Sequence, residues 1–549
     1  MSWLNSIRGM LFRSSATSQR STSGNGGRGA DAIGPIRARY DLAQTHDENS
    51  RHFANADNLS AKAANSAGVR QVMRKRSRYE AANNPQFKRI VKAYVKDVIG
   101  TGPRLQLSSG HEHFDEFVSK HWNRWFKAVR YVRKLRVSLS GRTINGESFR
   151  LRTSNPKLPT EVKLDIQPFE ADRCASLSEN LADPHKVDGI DFDVYDNPVT
   201  YWVWDSHPGD LSQISTAPRP VSADYVTHWF TEEREEQFRG VPELHSSVEL
   251  MAHGRRFRRA TVMKAEAAAS TNGVIYSDVP SGSMPDDFQQ GPVDFDRNTD
   301  HVLPFGWKRE EYEQKSPNDT YEMFNREMAS ESGAPLGMTA NVSSGNSSQY
   351  NFSSTRYDGE HWFGEVDCQR EDCELIVINP DFQAWFAEFR LTDTFTAWAE
   401  SDQAADATDD GPEVISVDDA VDGLISGDSV GWEWDGHPEV DQVKAATGSD
   451  MDIAAGRSST ETETAARGRS ARTEAKKQAK YLGMTIQQYQ RAQRIKQFGF
   501  DPNDPNALPP GSTQDSPVVS DQKQAARQTV QESVPSSISR RSQPVGGRT

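Results

Sequence analysis

The chain has 549 residues, of which 35% are apolar and 26% are charged, and its formal net charge is −14. The apolar share is below that of an ordinary globular protein, so large polar segments must interrupt the core. Proteins that grip nucleic acid are usually basic because much of their affinity comes from neutralising phosphates, and this composition argues against that class. The three cysteines, Cys174, Cys368 and Cys373, are too few for a disulfide framework, which favours reduced thiols and assembly in a reducing cytoplasm.

The first hundred residues combine a polar arm with helices. Residues 1–35, rich in Ser, Gly and Arg, are predicted to be a flexible basic arm. From Ala54 to Gly100 the apolar spacing is helical. The first stripe consists of Val69, Val72, Met73 and Tyr79. The basic residues among them are Arg70, Arg74, Lys75, Arg76 and Arg78, and such a run is typical of a solvated face or a subunit contact.

The next segment has the patterns of a mixed domain. Ser109 and Glu112 have the spacing of a capping box, which predicts the start of an aromatic-rich helix. Alternating runs on either side of Asp196-Asn197-Pro198 predict a β-hairpin. The aromatic residues of this region could stack on nucleobases, but their periodicity favours a role in the core or in a subunit interface. We therefore expect an α+β domain from about residue 36 to 240.

Pro242 is expected to begin a long helix that runs to about Ala269. Four arginines cluster midway along it: Arg255, Arg256, Arg258 and Arg259. A Pro-, Gly- and Asp-rich insert with short strands is expected over 270–318, followed by a short helix over 319–331. The next residues, 333–354, are dense in Gly, Ser and Asn, which is typical of a functional or disordered loop.

The C-terminal part alternates between packed and polar patterns. Aromatic residues from Trp362 to Phe389 predict packed helices. Residues 400–452 contain sixteen acids and one base, so part of this segment is expected to be loose and exposed. Two short helices are predicted over 476–498, and the tail from Asp501 is expected to be disordered.

Two other functions have some support in the residues. His111 and His113, with Glu112 between them, could centre a metal-dependent hydrolase, but zinc needs three or four converging ligands and side chains two apart on a helix diverge. The arginines at 255–259 could serve a monomeric nucleic-acid-binding protein. The sequence has no phosphate-binding loop of the Walker type and no nucleophile elbow, so we predict no enzymatic activity and no cofactor.

Several short motifs, in this order, resemble the lambda-type family of tailed-phage portal proteins. The most specific is Asn351-Phe352-Ser353-Ser354-Thr355-Arg356, in which Phe352 stands where the family usually has Tyr. The other segments that carry the resemblance are Arg39-Tyr40-Asp41, Asn55-Ala56-Asp57, Ala81 with Asn83-Asn84, Asp97-Val98-Ile99-Gly100-Thr101-Gly102, Trp122 with Trp125, Asn145-Gly146-Glu147 and Phe238-Arg239-Gly240-Val241-Pro242.

The resemblance implies an α+β portal fold with a wing, a helical stem, a small β-containing clip and a helical crown, assembled as a closed ring, usually of twelve subunits. The boundaries that it implies are a wing at 36–242, a stem helix at 243–269, a clip at 270–318, a second stem helix at 319–332, a tunnel loop at 333–352, a channel helix and wing return at 353–400, an acidic segment with crown helices at 401–500 and a tail at 501–549.

The resemblance also implies a function and partners. The ring would be the channel for DNA packaging and ejection at one capsid vertex of the virion, after assembly in the host cytoplasm. The ring would contact terminase, a head–tail adaptor, the major capsid and scaffold proteins and the passing double-stranded DNA. No membrane is implied. The residues that would face DNA are Asn341, Ser343, Ser344, Asn346, Ser347 and Ser348. The four arginines of the long helix would contact a neighbouring subunit or DNA.

Overall fold

The computed structural model describes residues 50–175, 185–210, 217–270, 274–277, 307–310, 321–348, 350–401, 416–438, 442–469 and 471–498. The chain divides into two compact units, 1–60 and 61–549. Of the first unit, residues 50–60 are described; they contain a turn in which Ala56 N donates to Phe53 O at 3.0 Å. The predicted arm (1–35), most of the predicted clip and the predicted tail (501–549) lie outside the described residues.

Sixteen α-helices lie in the described part of the second unit. They are α1 Ala61–Ala64, α2 Ala67–Asn83, α3 Pro85–Ile99, α4 Glu112–Ala128, α5 Tyr131–Asn145, α6 His245–Ser270, α7 Tyr321–Glu331, α8 Ala340–Ser344, α9 Phe352–Cys373, α10 Asn379–Phe389, α11 Asp393–Ala399, α12 Val417–Ser426, α13 Gln442–Ala454, α14 Thr460–Ala466, α15 Ala471–Tyr481 and α16 Ile486–Phe498. A π-helical turn, Glu374–Ile378, joins α9 to α10.

The described strands form small antiparallel sheets. The strands are β1 Arg104–Leu107, β2 Glu147–Ser154, β3 Leu164–Phe169, β4 Lys186–Val187, β5 Ile190–Phe192, β6 Pro198–Val203, β7 Arg219–Ser222, β8 Val226–Phe230, β9 Val274–Ser277, β10 Trp307–Glu310 and β11 Val430–Glu433. Their orders are β3-β2-β8, β4-β5-β6-β7, β1-β11 and β9-β10. The predicted hairpin around 196–198 is the β5–β6 pair. The chain therefore has a mixed helical and sheet fold, as the sequence predicts.

Aromatic side chains dominate the larger core. Trp122 and Trp125 of α4 are each 1% exposed, and they pack against Tyr131 of α5 and Trp385 of α10. Trp125 Nε1 donates to Leu164 O at 2.7 Å, so its polar atom is satisfied inside the core. These indole rings therefore serve the packing of the core, and none of them is free to stack on nucleobases.

The start of α4 differs from the predicted capping box. The N-cap is His111, whose Nδ1 accepts a hydrogen bond from Phe114 N at 3.2 Å. Ser109 instead donates its hydroxyl to Asp115 Oδ1 at 2.6 Å. Ser109 and Glu112 have the spacing of a capping box, but the helix begins two residues later than that motif requires. His111 is therefore the N-cap instead of Ser109. The long helix α6 likewise begins at His245, after a turn in which His245 N donates to Pro242 O.

The acidic segment contains a packed part that its composition does not predict. In α12, Ala420 and Leu424 are buried, and β11 pairs antiparallel with β1 from Arg104↔Glu433 to Leu107↔Val430. Apolar residues recur at helical spacing in α12, and Trp432 and Trp434 alternate along and just after β11. These apolar side chains allow the segment to pack despite its acidic composition. Residues 402–415 lie outside the described part.

The three cysteines are free thiols. Cys174 and Cys373 are buried and Cys368 is exposed. Burial raises the pKa of Cys373 to about 12, so this thiol stays protonated and unreactive at neutral pH. No helix among the described residues is long and apolar enough to cross a bilayer.

Candidate functional site

Helix α2 buries its charged face. Arg70 and Arg74 are 1% and 6% exposed, and Ser77 and Glu80 are buried beside them. Arg70 Nη2 lies 2.6 Å from Asp188 Oδ2, and Arg74 lies 3.3 Å from Asp172 Oδ1. These two arginines therefore lie inside the chain, which corrects the expectation of a solvated face or subunit contact for Arg70 and Arg74 only, because Lys75 and Arg76 of the same run are exposed. A buried guanidinium is tolerated only when carboxylates pair with it.

A carboxylate at the start of β2 is the centre of this charged interior. Glu147 accepts hydrogen bonds from Arg239 Nη2 at 2.6 Å and from Arg239 Nε at 2.8 Å, a two-point contact. His228 Nε2 lies 3.0 Å from the same carboxylate, and Gly240 N donates to it at 3.2 Å. Burial alone would raise the pKa of Glu147, but the charge of Arg239 and these hydrogen bonds hold that pKa well below its usual range.

Two glycines let the backbone segments around Glu147 approach closely. Gly146 ends α5 in the left-handed region at φ +93°, and a Cβ there would lie 2.4 Å from the carbonyl carbon of Val241. A Cβ on Gly240 would lie 2.0 Å from Gly146 O. Only glycine fits at either position. Two motif segments almost a hundred residues apart in sequence thus meet in one place.

The same place anchors the first half of α6. Arg142 Nε of α5 lies 2.7 Å from Glu243 Oε1, just before the helix. Asn84 caps α3 by accepting from Gln86 N at 3.1 Å, and its Nδ2 donates to Met251 O at 3.0 Å. We name this arrangement of Asn84, Arg142, Glu147, Arg239 and Gly240 the helix junction. It joins the mixed domain to the base of the long helix through buried polar contacts.

The predicted tunnel loop is only partly a loop. Asn341 and Ser343 lie in α8 and are buried, at 6% and 0% exposure. Ser343 Oγ donates to Ala329 O of α7 at 2.5 Å, and its carbonyl accepts from Gln86 Nε2 at 2.8 Å. Asn341 Oδ1 accepts from Thr339 Oγ1 at 2.7 Å. These two side chains stabilise the chain's own packing, which corrects their assignment as DNA-facing residues.

The remaining residues of that set are more accessible. Ser344 is half-buried, whereas Asn346, Ser347 and Ser348 are exposed. Asn346 Oδ1 accepts from Ser348 N at 3.0 Å, which holds the tip in a tight turn. The exposed part of 333–352 is therefore a short tip, and the rest is packed.

The motif after this tip forms a helix start. Asn351 is the N-cap of α9, and its Oδ1 accepts from Ser354 N at 2.8 Å. Phe352 is the first residue of α9; its side chain lies outside the described part. Ser353 is exposed, and Arg356 forms an exposed pair with Glu360 at 2.9 Å. The motif thus fixes where α9 begins.

Comparison with known proteins identifies the family. The family model described as phage portal protein, lambda family, matches residues 48–360, more than half of the chain. This chain belongs to the lambda family of phage portal proteins. The matched range includes the whole helix junction, the short tip and the start of α9.

Individual relatives match over smaller parts or at low similarity. The chain is 24% identical over 188 residues to a probable portal protein of Halomonas phage phiHAP-1; the match covers 33% of this chain and about a third, 35%, of that protein. Among solved structures, the neck of a native GTA particle computed with C12 symmetry is 14% identical and covers 71% of this chain and 91% of that chain, with a TM-score of 0.36. The virion of a native gene transfer agent particle is 13% identical, covers 76% and 99%, and has the same TM-score.

In this portal-family chain, the arginines of the long helix have different surroundings. Arg255 pairs with Glu80 at 2.8 Å and lies over the Tyr79 ring at 5.0 Å, so it contacts α2 of its own chain. Arg258 is half-buried and donates to Gly254 O at 3.3 Å. Arg256 and Arg259 are exposed. The last two are therefore the members of the set that remain accessible to a neighbour or to DNA.

The described residues bring together one group with metal-ligand chemistry, and it is not the predicted one. The ligand atoms of Glu170, Asp172 and His207 all lie within 4.8 Å of one another. However, His207 Nδ1 accepts from Gly209 N at 2.9 Å, so the proton is on Nε2, which lies 3.1 Å from Glu170 Oε2. Arg78 pairs with both carboxylates. These contacts favour an ion-pair cluster over a cation site, and His111, as a buried cap, does not belong to it.

The two motif segments of the helix junction are recognisable in the sequence, but their contact in space is not. Asn145-Gly146-Glu147 and Phe238-Arg239-Gly240 are separate segments of the family resemblance, and the structure joins them through the ion pair between Glu147 and Arg239. Asp188, which pairs with Arg70, was missed because nothing in its local sequence marks it as buried.

Proposed function

We propose that this chain is the subunit of a closed ring that forms the DNA channel at one vertex of a phage capsid. Twelve copies is the number that the family resemblance implies. In this role the ring takes part in packaging and ejection, and it docks terminase and the head–tail adaptor. The observation that carries the proposal is membership in the lambda family of portal proteins. We assign no catalytic role to this chain, because the chemistry of the packaging motor is assigned to terminase.

The long helix supports this role. Its 26 residues span about 39 Å at 1.5 Å per residue. The helix junction holds its first half, whereas the second half exposes Val262 and Met263. Helix α7 packs beside it through Phe257, whose ring lies 5.1 Å from that of Phe324. A helix with an exposed apolar second half needs neighbours, which adjacent subunits of a ring would supply.

The segment roles follow from this proposal. We assign α6 and α7 to the stem, the strands β9 and β10 to the clip that would contact terminase, and α9 to the channel helix. The tip at Asn346, Ser347 and Ser348 is the part of the tunnel loop assigned to face DNA. The excess of acid keeps phosphates from adhering to the channel at physiological salt. The segment 416–438 is reassigned from the crown to the wing because β11 completes the β1 sheet.

Imaging the purified full-length chain by negative-stain electron microscopy tests the proposal. Rings with a central hole are the expected result, with a mass by light scattering that is a multiple of 61.3 kDa. A monodisperse monomer, both alone and with its scaffold protein present, would overturn it.

A further inference from the structure

Helix α2 presents an apolar stripe to solvent on the side opposite its buried charges. Val69, Val72 and Tyr79 are 43%, 45% and 57% exposed, and Arg76 lies between them at helical spacing. Most amphipathic helices bury the apolar face, so this polarity is reversed. A continuous exposed apolar face of this kind marks a contact surface. We name it the α2 stripe.

The α2 stripe carries unpaired positive charge. Lys75 and Arg76 are both exposed, and neither has an ion-pair partner among the residues that the structure describes. The other cations of α2 already pair with carboxylates of the same chain. The partner of this stripe is therefore expected to combine apolar side chains with carboxylates.

A second surface of the chain has that complementary chemistry. At the end of α9, Cys368 and Asp372 are exposed one turn apart, and the π-helical turn then exposes Leu375 by 60% and Ile376 by 38%. Glu371 is exposed beside them. Within the described part of the chain, neither Glu371 nor Asp372 has an ion-pair partner. We name this surface the α9 stripe.

The two stripes cannot pair within one chain as the helices are packed. Helix α3 contacts both α2 and α9 and lies between them. The α2 stripe faces away from the buried side of α2, and the α9 stripe faces away from buried Cys373 and Val377. Two different, complementary surfaces on one chain are what a head-to-tail contact between copies requires.

We propose that the α2 stripe of one subunit packs against the α9 stripe of the next subunit around the ring. Val72 and Tyr79 contact Leu375 and Ile376, and Lys75 and Arg76 pair with Glu371 and Asp372. This inference rests on the proposed ring assembly and adds which surfaces form the ring contact.

Crosslinking through the native exposed thiol tests the contact in assembled rings. A Val72→Cys variant, treated with a flexible bismaleimide, is expected to give a ladder of covalent multimers on a denaturing gel through Cys368 of the neighbouring subunit. Cys174 and Cys373 are buried and do not compete. The ladder is expected to disappear in Val72→Cys/Cys368→Ser. A matched control, Val194→Cys, introduces a thiol at a 69% exposed position outside both stripes and is expected to give none.

The possible outcomes separate this inference from the proposed function. Rings in which Val72→Cys crosslinks no more than Val194→Cys would overturn the stripe contact and leave the ring intact. A wild-type chain that never forms rings would overturn both.

Charge reversal gives a second test. Lys75→Glu/Arg76→Glu and Glu371→Lys/Asp372→Lys are each expected to lower the ring fraction at least tenfold, and the combined variant is expected to restore it. All four side chains are exposed, so unchanged circular dichroism is expected for each variant. Lys157→Glu, in the exposed β2–β3 loop, is the matched control. Unchanged ring fractions in both double variants would contradict the proposal.

Discussion

The Glu147 carboxylate compensates two buried guanidinium groups, and its side chain is fully buried. Glu147→Gln keeps the shape but removes the negative charge that Arg239 and Arg74 share. Breaking one partner of a buried ion pair costs about 3–5 kcal/mol because the remaining charge is left uncompensated. We expect the free energy of unfolding in urea, followed by tryptophan fluorescence, to fall by that amount.

Glu360→Gln is the matched control for this change. Its pair with Arg356 is exposed on both sides, and such pairs contribute less than about 1 kcal/mol. Equal effects of the two substitutions would show that the buried position of Glu147 has no energetic importance.

The buried side chain of His228 is expected to make the folded chain less stable in mild acid. Burial lowers the pKa of His228, and this outweighs the opposing effect of Glu147. The unfolded chain therefore binds the proton at a higher pH than the folded chain, so stability is present above about pH 6.5 and declines as the pH falls below it. We expect this decline to be smaller in His228→Asn, measured as urea midpoints between about pH 7.5 and 5. An unchanged slope would assign the decline to other groups.

Among the secondary-structure elements, the meeting of α5 with the segment before α6 depends on Gly240. Gly240→Ala would place a methyl group 2.0 Å from Gly146 O. Because both contacting segments are backbone, the clash could be relieved only by moving the base of α6. We expect loss of soluble protein or a large fall in the urea midpoint. Gly364→Ala, an exposed position in α9 with open space around it, should be neutral or stabilise by up to about 1 kcal/mol. Similar results for both variants would contradict the close approach.

The tip between α8 and α9 offers a test of the channel role. Deleting Asn346–Ser348 removes exposed residues only, so stability and ring formation are expected to be retained while DNA packaging in a terminase-dependent assay falls. Asn341→Ala/Ser343→Ala, by contrast, removes buried hydrogen bonds and is expected to destabilise the chain by about 1–3 kcal/mol. Normal packaging by the deletion variant would disprove the assignment of the tip.

Helix α2 shows how far the sequence determines an element. The spacing of Val69, Val72 and Tyr79 predicted a helix there, and this is confirmed. Which face is buried was not predictable, because the carboxylates that neutralise Arg70 and Arg74 come from β2 and from beyond residue 170. Helix α9 shows the same limit: the sequence predicts packed helices from Trp362 to Phe389, but the π-helical turn after α9 exposes Leu375 and Ile376.

At the scale of the whole molecule, the core is completed by the segment after 416. A chain ending at Ser401 lacks α12 and β11, together with Trp432, whose Nε1 donates to Asn379 Oδ1 at 2.7 Å. We expect this truncation to yield insoluble or unfolded protein, because β1 loses its pairing and the aromatic core loses a covering layer. A chain ending at Phe498 keeps every described element and is expected to match the full chain in urea midpoint. A stable chain ending at Ser401 would disprove the reassignment of 416–438.

The mixed fold was predictable because local patterns mark helices, strands and turns, whereas the motif segments of the helix junction were recognisable only through the family resemblance. The β1–β11 pair was not predictable, since acidic composition masked α12 and the two strands are far apart in sequence.

That distance has a consequence for synthesis. About 320 residues separate Leu107 from Val430, so at roughly 5–20 residues per second β1 leaves the ribosome about 16–65 s before its partner strand exists. During that interval the edge of β1 and the neighbouring core aromatics lack their final cover. We therefore expect the nascent chain to depend on protection from aggregation until its acidic segment is made, and the proposed ring assembly would follow that step.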